Sequence, residues 1–162
     1  MNYLELDQMK TKATVNELNI LLASYNVYYQ NLRNYHWNLT GKNFFELHEK
    51  FEELYNDAKI KIDEIAERIL TLRFRPTSNF SNYLMDTVVA EGGEVEDDVA
   101  MVTNVLLNHK QMIKVMRNII RLANEAEDEG TIDLMGGFLK ELEKKSWMLD
   151  AWLAGRYASV LA

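Results

Sequence analysis

Two of the three histidines, His36 and His48, fall in the stretch "NYHWNLTGKNFFELHEKFEELYNDAKIKIDEIAERIL", which also supplies Glu52, Asp63 and Glu67. Imidazole nitrogen and carboxylate oxygen are donors for first-row divalent cations. If residues 44–72 form one helix, His48 and Glu52 lie about 40° apart around it, as do Asp63 and Glu67, and about three turns plus 20° separate Glu52 from Asp63. All four then share one face. Along the axis, however, Glu52 and Asp63 are roughly 16 Å apart, whereas a metal ligand stands about 2 Å from its ion. One chain cannot close both pairs on a single ion.

The numbering offers a solution. His48 with Glu67, and Glu52 with Asp63, are both centred between Asp57 and Ala58. Two copies of the helix, antiparallel across a two-fold axis near Ala58, set His48 and Glu52 of one against Asp63 and Glu67 of the other, which makes two identical sites in an isologous interface. His36, ahead of a short turn, joins the His48 side. Against this stands a simpler account. Regularly spaced acids usually form a solvated helix face, as Glu49, Glu53 and Lys50 do here, and a histidine among Tyr35, Trp37 and Leu47 is more often a hydrogen-bonded core group. Two histidines and two carboxylate pairs with coincident centres favour ligands. No histidine follows a Glu by three residues, so the Glu-x-x-His pattern of intrachain di-iron bundles is missing and the site is expected at an interface.

The elements that must carry these groups are helical throughout. One proline, Pro76, and seven glycines leave long stretches without breakers. Leu18, Leu22, Tyr25, Tyr29, Leu32 and His36 mark a first helix over about 6–39. Phe44, Leu47, Phe51, Leu54, Ala58, Ile62, Ile65 and Ile69 mark a second over about 44–72, stopped by "RFRPTS". Val99, Val102, Leu106, Met112, Met116, Ile119 and Ala123 mark a third over about 95–125, and a fourth spans about 131–154. Between the second and third lies "NFSNYLMDTVV", read as a brief crossover helix over 79–89 before Gly92 and Gly93. The expected fold is all-α, a single domain over 1–162: a four-helix bundle of ferritin-like topology. Its roughly 20-residue crossover is expected to run along the bundle and make one neighbouring pair parallel.

Composition narrows the function. The 162 residues include no cysteine, which excludes disulfides, thiolate metal sites and cysteine nucleophiles. Neither a leader pattern nor an apolar run of membrane-spanning length is evident, so a cytoplasmic chain without membrane contact is expected. The net charge of −7 disfavours broad phosphate binding and favours cations as partners.

The segment "YHWNLTGKNFFELHEKFEELYNDAKIKIDEIAER" resembles the signature of the Dps family, the miniferritins: His-Trp, a glycine, Phe-x-x-Leu-His, then an Asp and Ala-Glu-Arg. The resemblance covers His36 to Arg68 in spacing and type, and the whole chain in length and helix order. It implies that His36, His48, Asp63 and Glu67 are ferroxidase ligands shared between subunits of a hollow dodecamer, binding two iron ions per site. Glu52 stands where the family more often has Asp; the longer side chain keeps the carboxylate. The implied reaction is oxidation of Fe(II), by hydrogen peroxide in preference to dioxygen, with a ferric mineral stored in the cavity. Two iron ions together supply the two electrons that carry peroxide to water without releasing hydroxyl radical. Beside His36, Trp37 is either a quencher of stray one-electron oxidation or an aromatic packed in the core.

The same resemblance places the acidic turn "NEAEDEGTIDL" at three-fold pores that admit Fe(II), with Glu129 and Asp133, and then Glu125, as the pore residues. Without it, this is a solvated loop whose acids suit a helix N-terminus. His109, Met112 and Met116 are read as ordinary bundle residues, Lys140, Lys144 and Lys145 as a solvated face, and the Asn38-Leu39-Thr40 glycosylation pattern as accidental. Some Dps proteins condense DNA through lysine-rich tails. Lys10 and Lys12 stand beside Glu5 and Asp7, and the C-terminal stretch offers Arg156 alone, so DNA binding is expected to be weak or absent. A DNA-condensing structural protein with a secondary metal site is the alternative.

Overall fold

The computed structural model describes residues 3–95 and 97–160, with side chains described as far as Gly155; the reading of Arg156 as an isolated basic group lies outside the described side chains. Five helices appear in order: α1 Gln8–Asn38, α2 Phe44–Thr71, α3 Phe80–Asp86, α4 Asp98–Glu125 and α5 Glu129–Val160. Four long helices and one short crossover helix agree with the periodicity, and the differences at the ends have local causes. Asp7 and Asp97 cap α1 and α4, their carboxylates accepting from backbone N–H groups one turn on, so those helices start later than their apolar patterns do. Helix α2 ends where Arg73 takes a left-handed φ of 70°, and the Phe74 N–H reaches the Ile69 carbonyl at 3.1 Å. Helix α4 ends the same way, with Glu127 left-handed and Asp128 N–H bonded to the Ala123 carbonyl at 2.9 Å. Both are Schellman closures built without glycine.

Helix α1 packs against α2, α4 and α3, and α4 against α5. The fourth side of the square is made by side chains of α2 and α5: Lys61 bonds Glu141, Asp57 pairs with Lys145, and Arg68 bonds Thr131. Rising numbers on α2 meet falling numbers on α5, so these two run antiparallel. The pairs Tyr28 with His109 and Asn43 with Asp98 show that α1 and α4 do too. This corrects the sequence reading of a parallel neighbouring pair. The crossover returns the chain to the end where α2 began, which makes α4 parallel to α2, yet it sets α4 diagonally across the bundle. Asn31 holds the crossover in place: its Nδ2 donates to the Ala90 carbonyl at 2.9 Å, and the Gly92 N–H donates to its Oδ1 at 2.8 Å. Gly92 lies so close that a Cβ there would stand 2.4 Å from the Tyr35 hydroxyl.

The core is continuous along the bundle and buries Leu18, Leu22, Tyr25, Leu32, Phe51, Leu54, Ile65, Val102, Met112, Met116, Phe138 and Leu149. Charge also penetrates it. Lys61, 4% exposed, bonds Asp57 at 2.7 Å and Glu141 at 2.6 Å, and Lys145 reaches the other Asp57 oxygen at 2.6 Å. Lys145 therefore belongs to this network and not to a solvated lysine face, because its long stem lets the ammonium reach inward.

His109, Met112 and Met116 are buried bundle residues, as read from the sequence. Burial pushes the His109 imidazole down to about 3, with Lys145 adding to the effect and Asp57 opposing it. An unfolded histidine takes up a proton below about pH 6.5, whereas the folded chain does so only near pH 3. The unfolded state thus binds more protons between these values, and stability falls as pH drops, by up to about 1.4 kcal/mol per pH unit from this group. The urea midpoint is expected to decline more steeply from pH 6 to pH 4 in the parent than in His109→Gln; equal slopes would show that His109 does not control acid sensitivity.

Candidate metal centre

The last turn of α1 and the first turns of α2 meet across the short 39–43 loop, where Gly41 adopts a φ of 97° that glycine alone takes without strain. This brings His36 and His48 face to face. Their rings stack at 3.7 Å between centroids and 19° between planes. His36 Nδ1 lies 2.8 Å from the His48 carbonyl oxygen, and His48 Nδ1 lies 2.9 Å from that of His36. A carbonyl only accepts, so each Nδ1 carries a hydrogen, and Nε2 is the nitrogen of each ring left to offer a lone pair to a metal. The His36 carbonyl is available because it belongs to the final turn of α1, where carbonyls lack intrahelical donors. Such fixing of tautomer and ring plane is what metal-binding imidazoles require.

Aromatic rings wall the pair. Phe44 stacks on His48 at 4.8 Å, and Tyr55 meets His36 edge-on at 5.3 Å and 83°. Tyr55 was not anticipated from the sequence, although its place one turn beyond Glu52 on the same face was a usable signal. Its hydroxyl is within hydrogen-bonding reach of the Glu52 carboxylate, and its acidity is weakened first by desolvation and then by that carboxylate. Trp37, 58% exposed, is not a core aromatic; the Arg33 guanidinium lies over its ring at 4.6 Å.

Glu52, Asp63 and Glu67 all project from the exposed side of α2. Ala58 is fully buried in the chain's own core, so the outward surface midway between the two half-sites is made by Asn56, Lys59 and Ile60. Among the described residues, no three His, Asp or Glu side chains of one chain converge as a metal-binding group. The five groups fall into two sets on each chain, His36, His48 and Glu52 in one and, farther along α2, Asp63 and Glu67 in the other.

The acidic turn separates into parts with different roles. Asp128, 2% exposed, is structural: it accepts from the Thr131 N–H at 3.0 Å and the Thr131 hydroxyl at 2.6 Å, and pairs with Arg68 at 2.5 Å. A Cβ at Gly130 would stand 2.9 Å from the Arg68 guanidinium, which would then have to shift. Glu129 and Asp133 remain exposed on the first turn of α5, while Glu125 is taken by Arg121 at 2.6 Å. Asp133 and Glu67 border one open depression of about 320 Å³, with Glu64 and Arg68. Asp133 of the acidic turn and Glu67 of α2 thus share one depression, which spacing along the sequence did not reveal.

A four-helix bundle with antiparallel neighbours and a long crossover, carrying histidines and carboxylates on its first two helices, defines a ferritin-like protein, and residues 15–155 match the ferritin-like domain family. The chain is 44% identical to the DNA protection during starvation protein of Porphyromonas gingivalis, over 91% of this chain and 92% of that one. It is 38% identical to DNA protection during starvation protein 2 of Bacillus anthracis, over 88% and 97%. The crystal structure of the Dps protein from Vibrio cholerae O1, described as a member of a superfamily of ferritin-like diiron-carboxylate proteins, superposes with a TM-score of 0.91 at 46% identity, covering 94% of this chain and 96% of that one. The chain belongs to the Dps family. Among the described residues no helix is long and apolar enough to cross a membrane.

Proposed function

We propose that this chain, acting as one cytoplasmic domain, is a ferroxidase that oxidises Fe(II) with hydrogen peroxide in preference to dioxygen and stores the ferric product inside a closed dodecamer. The observation that carries this reading is the reciprocal hydrogen bonding of His36 and His48, which commits both Nδ1 atoms to carbonyls and leaves both Nε2 atoms as the nitrogens that can bind a metal. Two antiparallel copies of α2 would complete each site with the partner's Asp63 and the partner's Glu67, for two iron ions. Phe45, Ile60 and Leu70 on the outer side of α2, and Phe80 and Met85 on α3, are each more than half exposed. Apolar side chains on that scale suit burial against a second copy.

Iron is the substrate here, and the residues act on it in distinct ways. Neutral imidazoles and anionic carboxylates bind Fe(II) and favour Fe(III) more strongly as charge rises. Placing two one-electron donors at one site lets peroxide take both electrons together. Phe44 and Tyr55 fix the ligand rings and limit water beside them. The reading requires two Fe(II) consumed per peroxide and a light-scattering mass of twelve chains. A stoichiometry of one, or a monomer under native conditions, would overturn it.

Glu129 and Asp133 are proposed to draw Fe(II) inward through their negative field. With Glu129→Gln and Asp133→Asn together, iron delivery at low salt is expected to slow several-fold, with a weaker dependence on ionic strength. Mineralisation at the parental rate across ionic strengths would mean that this turn is only solvated.

DNA binding is proposed to be weak. Each phosphate contact needs Lys or Arg, and the first turn of α1 carries its lysines beside the Asp7 cap. A gel shift in chelator at low salt is expected to show little retardation. Tight binding, lost on removal of residues 1–12, would make DNA condensation a principal function.

A further inference from the structure

A buried phenol and imidazole lie in the middle of the bundle, away from the proposed metal ligands. The Tyr28 hydroxyl is 2.7 Å from His109 Nε2, both groups being buried. On the far side of the ring, His109 Nδ1 is 2.8 Å from Ser146 Oγ, and Ser146 Oγ donates to the Leu142 carbonyl at 2.7 Å. The direction of this chain follows from its last member. A carbonyl can only accept, so the single Ser146 proton is committed to Leu142 and Ser146 must accept from His109. His109 therefore carries hydrogen on Nδ1 and offers a bare lone pair at Nε2. Tyr28 must be the donor to it.

We propose that Tyr28 and His109 form an internal one-electron redox site, in which Tyr28 gives an electron to a radical oxidant and passes its phenolic proton to His109 Nε2. A phenol that loses an electron becomes a far stronger acid than imidazolium, so a base already hydrogen-bonded to it makes the oxidation feasible inside an apolar core. With hydroxyl radical as oxidant the step balances: hydroxyl radical, phenol and neutral imidazole become hydroxide, neutral phenoxyl and imidazolium. The new imidazolium faces Lys145, which opposes it, and Asp57, which favours it; these charges belong to the Asp57, Lys61, Glu141 and Lys145 network. Before oxidation, burial keeps the Tyr28 phenol protonated.

A path of rings runs from the candidate metal centre to the residue next to Tyr28 in the chain. Tyr55 stands 5.3 Å from His36, Tyr29 stands 5.9 Å from Tyr55, and Tyr29 is the chain neighbour of Tyr28. Tyr25 provides an internal comparison: it meets Tyr28 edge-on at 6.1 Å and is equally buried, but its hydroxyl has no hydrogen-bond partner among the described residues. Tyr25 lacks a base and is not assigned this role. The supply of oxidant by imperfect two-electron reduction of peroxide rests on the ferroxidase reading, whereas the redox property of the pair does not.

The test separates the two. Metal-free assembled protein is exposed to azide radical generated by pulse radiolysis, and phenoxyl absorption is followed in time. The parent and Tyr25→Phe are expected to show a phenoxyl fraction living at least ten-fold longer than that of surface tyrosines, and Tyr28→Phe to lose it. His109→Gln keeps an acceptor for the phenol but no base; there the Tyr28 phenoxyl is expected to form about ten-fold more slowly and to lose its solvent deuterium dependence. Persistence of the long-lived fraction in Tyr28→Phe, or parental formation in His109→Gln, would overturn the proposal. In a second arm, Fe(II)-loaded protein is mixed with peroxide and freeze-quenched for electron paramagnetic resonance. A Tyr28-dependent radical is expected; its absence there, with the azide result intact, would overturn the link to the metal centre alone.

Discussion

Replacing both His36 and His48 with Ala is expected to reduce peroxide-driven Fe(II) oxidation at least 100-fold while leaving assembly intact. Removing even the hydrogen-bond partner of a metal-bound histidine typically costs 10–100-fold in affinity or activity, and this variant removes both imidazoles. It also removes the reciprocal bonds at 2.8 and 2.9 Å that tie the end of α1 to the start of α2. His36 is only 9% exposed, so some loss of stability accompanies the change, and the mass by light scattering must be checked with the rate. Stopped-flow oxidation of anaerobically loaded Fe(II) reads the effect. Parental rates in an intact assembly would remove these histidines from the mechanism.

The largest effect on stability is expected at Asp57. Its carboxylate bridges Lys61 and Lys145, and Lys61 is nearly inaccessible, with 5% of its side chain exposed. Breaking one member of a buried ion pair costs about 3–5 kcal/mol because a charge is left in a poorly solvating place. Glu141 still holds Lys61, which puts Asp57→Ala near the lower limit, and for a chain of this size about 3 kcal/mol corresponds to roughly 6–12 °C in Tm. Glu143→Ala breaks the Arg117 pair, whose partners are 65% and 49% exposed, and exposed pairs contribute under about 1 kcal/mol. Melting of both variants at one protein concentration compares them. A Tm for Asp57→Ala as close to the parent as that of Glu143→Ala would show that the internal charges do not stabilise the bundle.

The helices were legible because their apolar residues recur with the helical period, and the crossover because its length exceeded any hairpin. The diagonal placement of α4 was not, since spacing records which face is apolar but not which helix it meets. Around the candidate centre, residue types and symmetric numbering singled out His36, His48, Glu52, Asp63 and Glu67, yet the carbonyl exchange that fixes both imidazoles depends on a loop conformation no motif encodes. Tyr55 lies at helical spacing from Glu52, but a tyrosine is not a ligand type for first-row divalent cations in the pattern considered, so residue type alone did not single it out. The Asp57, Lys61, Glu141 and Lys145 network was hidden for a different reason. Charged residues in a helical sequence ordinarily face water, and only the antiparallel register of α2 against α5 turns these four toward one another.

Iron-edge anomalous diffraction from crystals of the assembled protein, loaded anaerobically with Fe(II), tests the shared ferroxidase site most directly. The expected result is a pair of iron peaks at each two-fold interface, bounded by His36, His48 and Glu52 of one subunit and by the partner's Asp63 and the partner's Glu67. Iron held within one subunit, or interfaces that keep these half-sites apart, would contradict it.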